Sequence, residues 1–114
     1  MKIPLRKTRV SRYLILILFF CSYCSSSAPE KKNKAYTVEI KQMKFVPAEL
    51  VLEKGDTVVF INHDFLTHDV TEQTRKTWTS APLSPDSSWS LVVTGTSDYY
   101  CSIHPVMKGR LLVQ

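Results

Sequence analysis

One all-β domain, a sandwich or barrel, is what this sequence predicts, and three observations predict it. Apolar and polar residues alternate with a period of two in several short runs, as in "YTVEI" and "SSWSLVV". Turn residues recur between those runs at spacings of about ten residues, the rhythm of sandwiches and barrels. No stretch carries the apolar stripe of an amphipathic helix, and the chain has no internal repeat. At 114 residues there is room for one domain.

The domain does not start at Met1. Lys2, Arg6, Lys7, Arg9 and Arg12 form a basic head, "YLILILFFCSYC" a short apolar centre, and "SSSAPEKKNK" a run of small and polar residues. That order is the pattern of a secretory signal, and the apolar run falls short of the roughly 20 residues of a membrane span. Residues 1–24 are therefore expected to be an export signal and residues 25–35 a polar spacer, with the folded domain over 36–114. Cys21 or Cys24 is the candidate for a lipoprotein-type anchor, although bulky Phe20 and Tyr23 precede them where such signals carry small residues. The expected location is the periplasm, free or tethered by a lipid.

The charge follows the same division. The formal net charge is +5, with 15 basic residues, but five of these sit in the basic head. From Pro29 onward ten Lys and Arg face ten Asp and Glu. The domain is close to neutral, which removes the electrostatic case for nucleic acid. A monomer is expected.

Each strand has its own signal. "YTVEI" opens the domain by alternation. "AELVLEKGDTVVFIN" reads as two strands joined at Lys54-Gly55-Asp56. "SSWSLVV" puts Trp89, Leu91 and Val93 on one face. "SDYYC" follows the turn at Gly95, and "GRLLVQ" ends the chain, with Gly109 expected to permit a sharp entry into that last strand. Trp78, Trp89, Phe45 and Phe60 read as core aromatics, and Met43 as core packing.

The segment between the last two strands carries the chemistry. With Cys21 and Cys24 assigned to the signal, Cys101 is the only thiol of the domain, unusual in a compartment that favours disulfides. A bound metal would protect it. His104 and Met107 follow at intervals of three. Extended, Cys101 to Met107 would reach roughly 20 Å. Only a curled loop, stiffened by Pro105, can bring the three to one ion. A fourth ligand must come from His63 or His68. His68 begins the run "HDV" and can be held from both sides, whereas His63 lies in a polar loop and reads as solvated. Cys, two His and Met are soft to borderline donors, the set used for electron-transfer copper; zinc seldom takes Met, and calcium and magnesium want oxygen.

The stretch "GTSDYYCSIHPVMKGRLLV" resembles the copper-loop end of plastocyanin-type cupredoxins, and Cys-x2-His-x2-Met with Pro after His and Gly after Met is most similar to the amicyanins. "FVPAELVLEKGDTVVFINHDFLTHDV" resembles the family's stretch through its first ligand histidine. The resemblance implies a Greek-key antiparallel sandwich of about eight strands. It implies a copper ion held by His68, Cys101 and His104 in a plane, with Met107 as the long axial contact. Two positions depart from the pattern. Asp69 stands where plastocyanins commonly carry Asn, so the reduction potential does not carry over. Thr67 stands where several relatives carry Pro, so the loop shape does not either.

No acid–base pair, activated nucleophile or phosphate-cradling loop appears, and four protein ligands leave a metal no open position, so an enzyme is not expected. The reading is a one-electron carrier, its redox partners docking near the apolar rim of His104, Pro105 and Val106. The alternative is a copper-handling protein of the cell envelope, against which stands the absence of a flexible Met- or His-rich tract.

Overall fold

A computed structural model describes residues 2–4 and 25–114. The export signal and the lipid-anchor cysteines fall mostly or wholly outside these residues. Lys31–Gln114 form a compact unit containing eight strands: β1 (Ala35–Lys41), β2 (Lys44–Val46), β3 (Glu49–Leu52), β4 (Thr57–Asn62), β5 (Thr71–Glu72), β6 (Ser88–Val92), β7 (Ser97–Tyr100) and β8 (Lys108–Val113). They make two four-stranded sheets, ordered β2-β1-β4-β6 and β3-β8-β7-β5.

The sandwich is all-β, as the alternation predicts, but its sheets are mixed rather than wholly antiparallel. β1 runs parallel to β4, and β3 parallel to β8. The cause lies in the connections. β3 and β4, read as neighbours across the Lys54-Gly55-Asp56 turn, lie in different sheets, so that turn carries the chain across the sandwich instead of closing a hairpin. Gly55 supplies the left-handed conformation it needs, with φ of 93°. Asp56, buried, braces it by accepting the amides of Lys34 at 2.8 Å and Glu53 at 2.9 Å. These two bonds hold its carboxyl below the ordinary value. The Lys34 bond also ties the end of the polar spacer to the domain, and β1 begins at Ala35.

β4 shows how sequence becomes packing. Val58, Phe60 and Asn62 point inward and are fully buried, while Thr57, Val59 and Ile61 are only partly covered. Phe60 sits 5.3 Å from Tyr99, 6.4 Å from Phe45 and 6.0 Å from Trp89, ring centre to centre, so the aromatics of both sheets form one core. Tyr99 anchors it, completely buried, with its hydroxyl unpartnered.

Gly109 has a different reason from the one its place before "RLLVQ" suggests. Gly55 is the glycine with a left-handed backbone among the described residues; Gly109 is not. It pairs across the ladder with Tyr99, and a Cβ at 109 would strike the tyrosine ring. The glycine makes space for the core tyrosine.

Candidate metal centre

Two loops at one end of the sandwich bring His68, Cys101 and His104 together. The first leaves β4 at Asn62. This buried side chain donates to the carbonyls of Leu66 at 2.8 Å and Leu83 at 3.0 Å and accepts the amide of Asp64 at 2.9 Å. The loop is thus folded around one amide side chain. His68 is then fixed on both sides by a two-way backbone bridge to Leu83, at 3.1 and 2.7 Å. The second loop leaves β7 at Tyr100 and closes on itself. The Cys101 amide donates to the Met107 carbonyl at 3.1 Å, and the Met107 amide to the His104 carbonyl at 2.9 Å. That is the curl which Cys101, His104 and Met107 require.

The resulting geometry is tight. Cys101 Sγ lies 3.8 Å from Nδ1 of His68 and 3.8 Å from Nδ1 of His104, and the two Nδ1 atoms are 3.1 Å apart. An ion held at about 2.0–2.3 Å by nitrogen and sulfur needs donors roughly 3–4 Å from one another. The three atoms meet that requirement. Cys101 and His68 are fully buried, and His104 is the member of the cluster that is partly exposed. Met107 is buried in the same loop. His63 is not in the cluster; it is exposed, 3.8 Å from Glu39.

The sequence reading passed over Asp64. Its Oδ2 is 2.8 Å from Nε2 of His68. A carboxylate there accepts the Nε2–H, which leaves the Nδ1 lone pair facing Cys101 and His104. Asp64 also accepts the amides of Gln42 at 2.9 Å and Met43 at 3.0 Å. Those two residues form the β1–β2 turn, with φ of 51° and 61°, a conformation that favours Asn and Gly. One carboxylate therefore holds a turn in place and orients a candidate ligand. Burial works to raise its pKa, but the Met43 amide, the His68 ring and the Gln42 amide outweigh that and hold it below its ordinary value. The spacing Asp64 to His68 was the available signal, hidden in what read as a polar loop.

Around the thiol, the Asp69 amide points at Cys101 Sγ at 3.4 Å. A thiolate there gains a donor without losing its place as a ligand. The site offers a soft buried thiol and two imidazoles whose Nδ1 atoms converge on it.

Comparison with known proteins agrees with this geometry. The family model described as a cupredoxin-like domain matches residues 14–113. The amicyanin of Paracoccus denitrificans is 34% identical over 94 residues, covering 77% of this chain and 72% of that protein. The amicyanin-alpha of Methylorubrum extorquens is 31% identical, covering 68% and 70%. A Cu(I) form of an amicyanin mutant superposes with a TM-score of 0.66 at 32% identity, over 75% of this chain and 87% of the other. A copper-containing nitrite reductase from Thermus scotoductus superposes with a TM-score of 0.65 at 28% identity; the match spans 70% of this chain but 22% of that larger one. With nearly the whole domain matched, and a thiol and two imidazoles gathered where two loops of a β-sandwich meet, the chain belongs to the cupredoxin-like family, with amicyanins among its relatives.

Proposed function

We propose that this protein is a type 1 copper electron carrier, holding one copper ion through His68, Cys101, His104 and Met107. One observation carries the reading: ligand atoms of His68, Cys101 and His104 lie within 4.8 Å of one another, although His68 is 33 positions from Cys101 and 36 from His104. Copper supplies a one-electron couple between Cu(II) and Cu(I). The chain's contribution is a frame that favours neither geometry strongly. Cys101 offers a soft thiolate, His68 and His104 borderline nitrogens, and Met107 a weak thioether. His68 is fixed by Leu83 and Asp64, and Cys101 by Met107 and Asp69. Little needs to move when the charge changes, and four protein ligands leave no open position for a substrate.

The electron leaves through His104. Exposed apolar residues lie on the two loops that carry the imidazoles: Val106 is 83% and Phe65 88% exposed, with Ile103 and Leu66 also open. A small apolar rim suits short-lived redox complexes, which must part quickly. Redox partners dock there, around His104, Pro105 and Val106. The pattern of residues 1–24 supports export to the periplasm, with Cys21 or Cys24 as the candidate lipid attachment.

The test is the visible spectrum of the purified domain with Cu(II). An intense blue thiolate-to-copper band is expected, and it is expected to change or vanish in His104→Gly. A protein that binds Cu(II) without colour would overturn the assignment of Cys101 as a ligand.

A further inference from the structure

The sequence reading places residues 31–34 in a polar spacer, yet they are fastened to the domain. Lys34 donates its amide to Asp56 Oδ1 at 2.8 Å, and its carbonyl accepts the Thr57 amide at 2.9 Å. The Asn33 side chain lies so close to Gly55 that a Cβ added there would stand 2.9 Å from its Oδ1. Lys31 pairs with Glu53 at 2.9 Å. Every one of these partners lies within residues 53–57, the β3–β4 turn and the first residue of β4. From there β1 and β4 run side by side in parallel, Ala35 beside Thr57 and Ile40 beside Asn62. Asn62 is the residue around which the His68 loop folds. The pole where the chain enters the domain is therefore at the other end of these strands from the metal loops, roughly 20 Å away. Lys32, Lys34 and Lys54 are exposed at this entry pole. Its two carboxylates are already engaged, Glu53 with Lys31 and buried Asp56 with backbone amides. Among the described residues no carboxylate lies within ion-pairing distance of Lys32, Lys34 or Lys54.

We propose that this entry pole is a docking face for an anionic lipid surface, with Lys32, Lys34 and Lys54 as its contacts and the metal loops turned away from the lipid. Two arguments favour lipid as the occupant. Lysines beside an anionic bilayer each strengthen attachment about fivefold. A single lipid chain holds a protein only reversibly, and a basic patch next to it supplies the second hold that stable attachment needs. The patch stands where the chain enters from residues 1–30, the side on which Cys21 or Cys24 would carry the lipid. The inference rests on that proposed attachment for its second argument alone; the lysines and the strand direction stand without it. The arrangement leaves the apolar rim around His104, proposed above as the redox face, open to partners in solution.

The test uses the full chain without copper, bound to lipid nanodiscs of phosphatidylglycerol or of phosphatidylcholine that carry a gadolinium-chelating headgroup. Gadolinium broadens nearby amide signals in NMR, and the effect falls steeply with distance. On phosphatidylglycerol discs the amides of Lys32, Lys34 and Lys54 are expected to broaden at least tenfold more than those of Ile103 and Val106. The triple variant Lys32→Glu/Lys34→Glu/Lys54→Glu is expected to lose at least tenfold in its preference for phosphatidylglycerol over phosphatidylcholine, three lysines at about fivefold each allowing for more. Lys41→Glu/Lys44→Glu/Lys108→Glu makes the same charge change at exposed positions by the metal loops and is expected to keep the preference. An equal loss in both triple variants overturns the choice of pole. Broadening at Val106 equal to that at Lys54 overturns the orientation. A parent that binds both kinds of disc alike overturns the anionic face. A preference that survives in Cys21→Ser/Cys24→Ser supports the face by itself, whatever the fate of the proposed lipid attachment.

Discussion

The carboxylate of Asp64 lies 2.8 Å from Nε2 of His68, and the same carboxylate receives the amides of a left-handed turn at Gln42 and Met43. The turn and the imidazole thus share one anchor. A ligand ring that can rotate binds metal less well than one that cannot, because the ordering cost falls due on binding.

Asp64→Ala is accordingly expected to weaken copper binding by about 10–100-fold, the usual effect of removing a group that orients a ligand. Asp64→Asn keeps an acceptor for His68 but has one oxygen for three donors, so it should fall between the parent and Ala. Competition titration with a chelator of known affinity measures both. Equal affinity in all three proteins would show that the bridge of His68 to Leu83 is enough to aim the ring.

Gly109→Ala tests a packing relationship instead. The added methyl meets the ring of Tyr99, which is enclosed by Phe45 at 4.8 Å and Phe60 at 5.3 Å and has nowhere to go. Overpacking of this kind costs about 1–3 kcal/mol. Denaturant unfolding of the apoprotein should show that loss, and Tyr99→Phe should not relieve it, because ring carbons as well as the hydroxyl stand in the way.

These two residues show what the sequence could and could not tell. Alternation made β1, β4 and β6 legible, because β1 and β4 present a buried face to the core and β6 a partly buried one. The two-residue β5 and the three-residue β2 were too short to show a period. Strand direction was not legible either, since alternation says which side faces inward and nothing about which neighbour lies beside it. The spacing of Cys101, His104 and Met107 announced a curled loop because an extended one could not converge. Asp64 is not legible in the sequence because Gln42 and Met43 lie more than 20 positions away in a turn that meets it only after folding, and its spacing to His68 says little without them. Gly109 was noticed for the wrong reason: the residue type was informative, but the cause was a ring on the neighbouring strand.

Glu72 contributes to stability in a pH-dependent way. It is buried at the end of β5 and accepts the amides of Thr74 and Arg75, each at 2.8 Å, and of Thr77 at 3.2 Å. Burial alone would raise its pKa; the amides of Arg75, Thr74, Thr77 and Lys76 outweigh it and lower the value to about 2. The folded pKa is below the unfolded one, so the ionised carboxylate contributes stability above the ordinary Glu range, near 4.5. That contribution is lost as pH falls from about 4.5 toward about 2. Glu72→Gln should therefore be less stable than the parent at pH 7, and the gap should narrow steadily as unfolding is repeated at lower pH in that window. A gap that does not depend on pH would mean that Glu72 acts by shape alone.

Val106→Glu addresses the proposed exit for the electron. Val106 is 83% exposed and sits two residues after His104 on a loop closed by backbone bonds between Cys101, His104 and Met107. A side chain so open makes few internal contacts, so its replacement should leave folding and the blue band unchanged. A carboxylate would, however, have to be desolvated when an apolar partner surface closes over the rim, and that is unfavourable. Electron self-exchange between two copies of this protein provides the readout without any need to know the natural partner. Two copies meeting rim to rim would also bring the new charges together, so the rate should drop at least tenfold at low salt. Because screening weakens the repulsion, part of the loss should return as salt is added. Lys54→Glu, in the β3–β4 turn, is the control away from the rim, and a demanding one, since Lys to Glu changes the charge by two units where Val to Glu changes it by one. An equal loss in Val106→Glu and Lys54→Glu would move the exit away from His104; a loss confined to Val106→Glu would support it there.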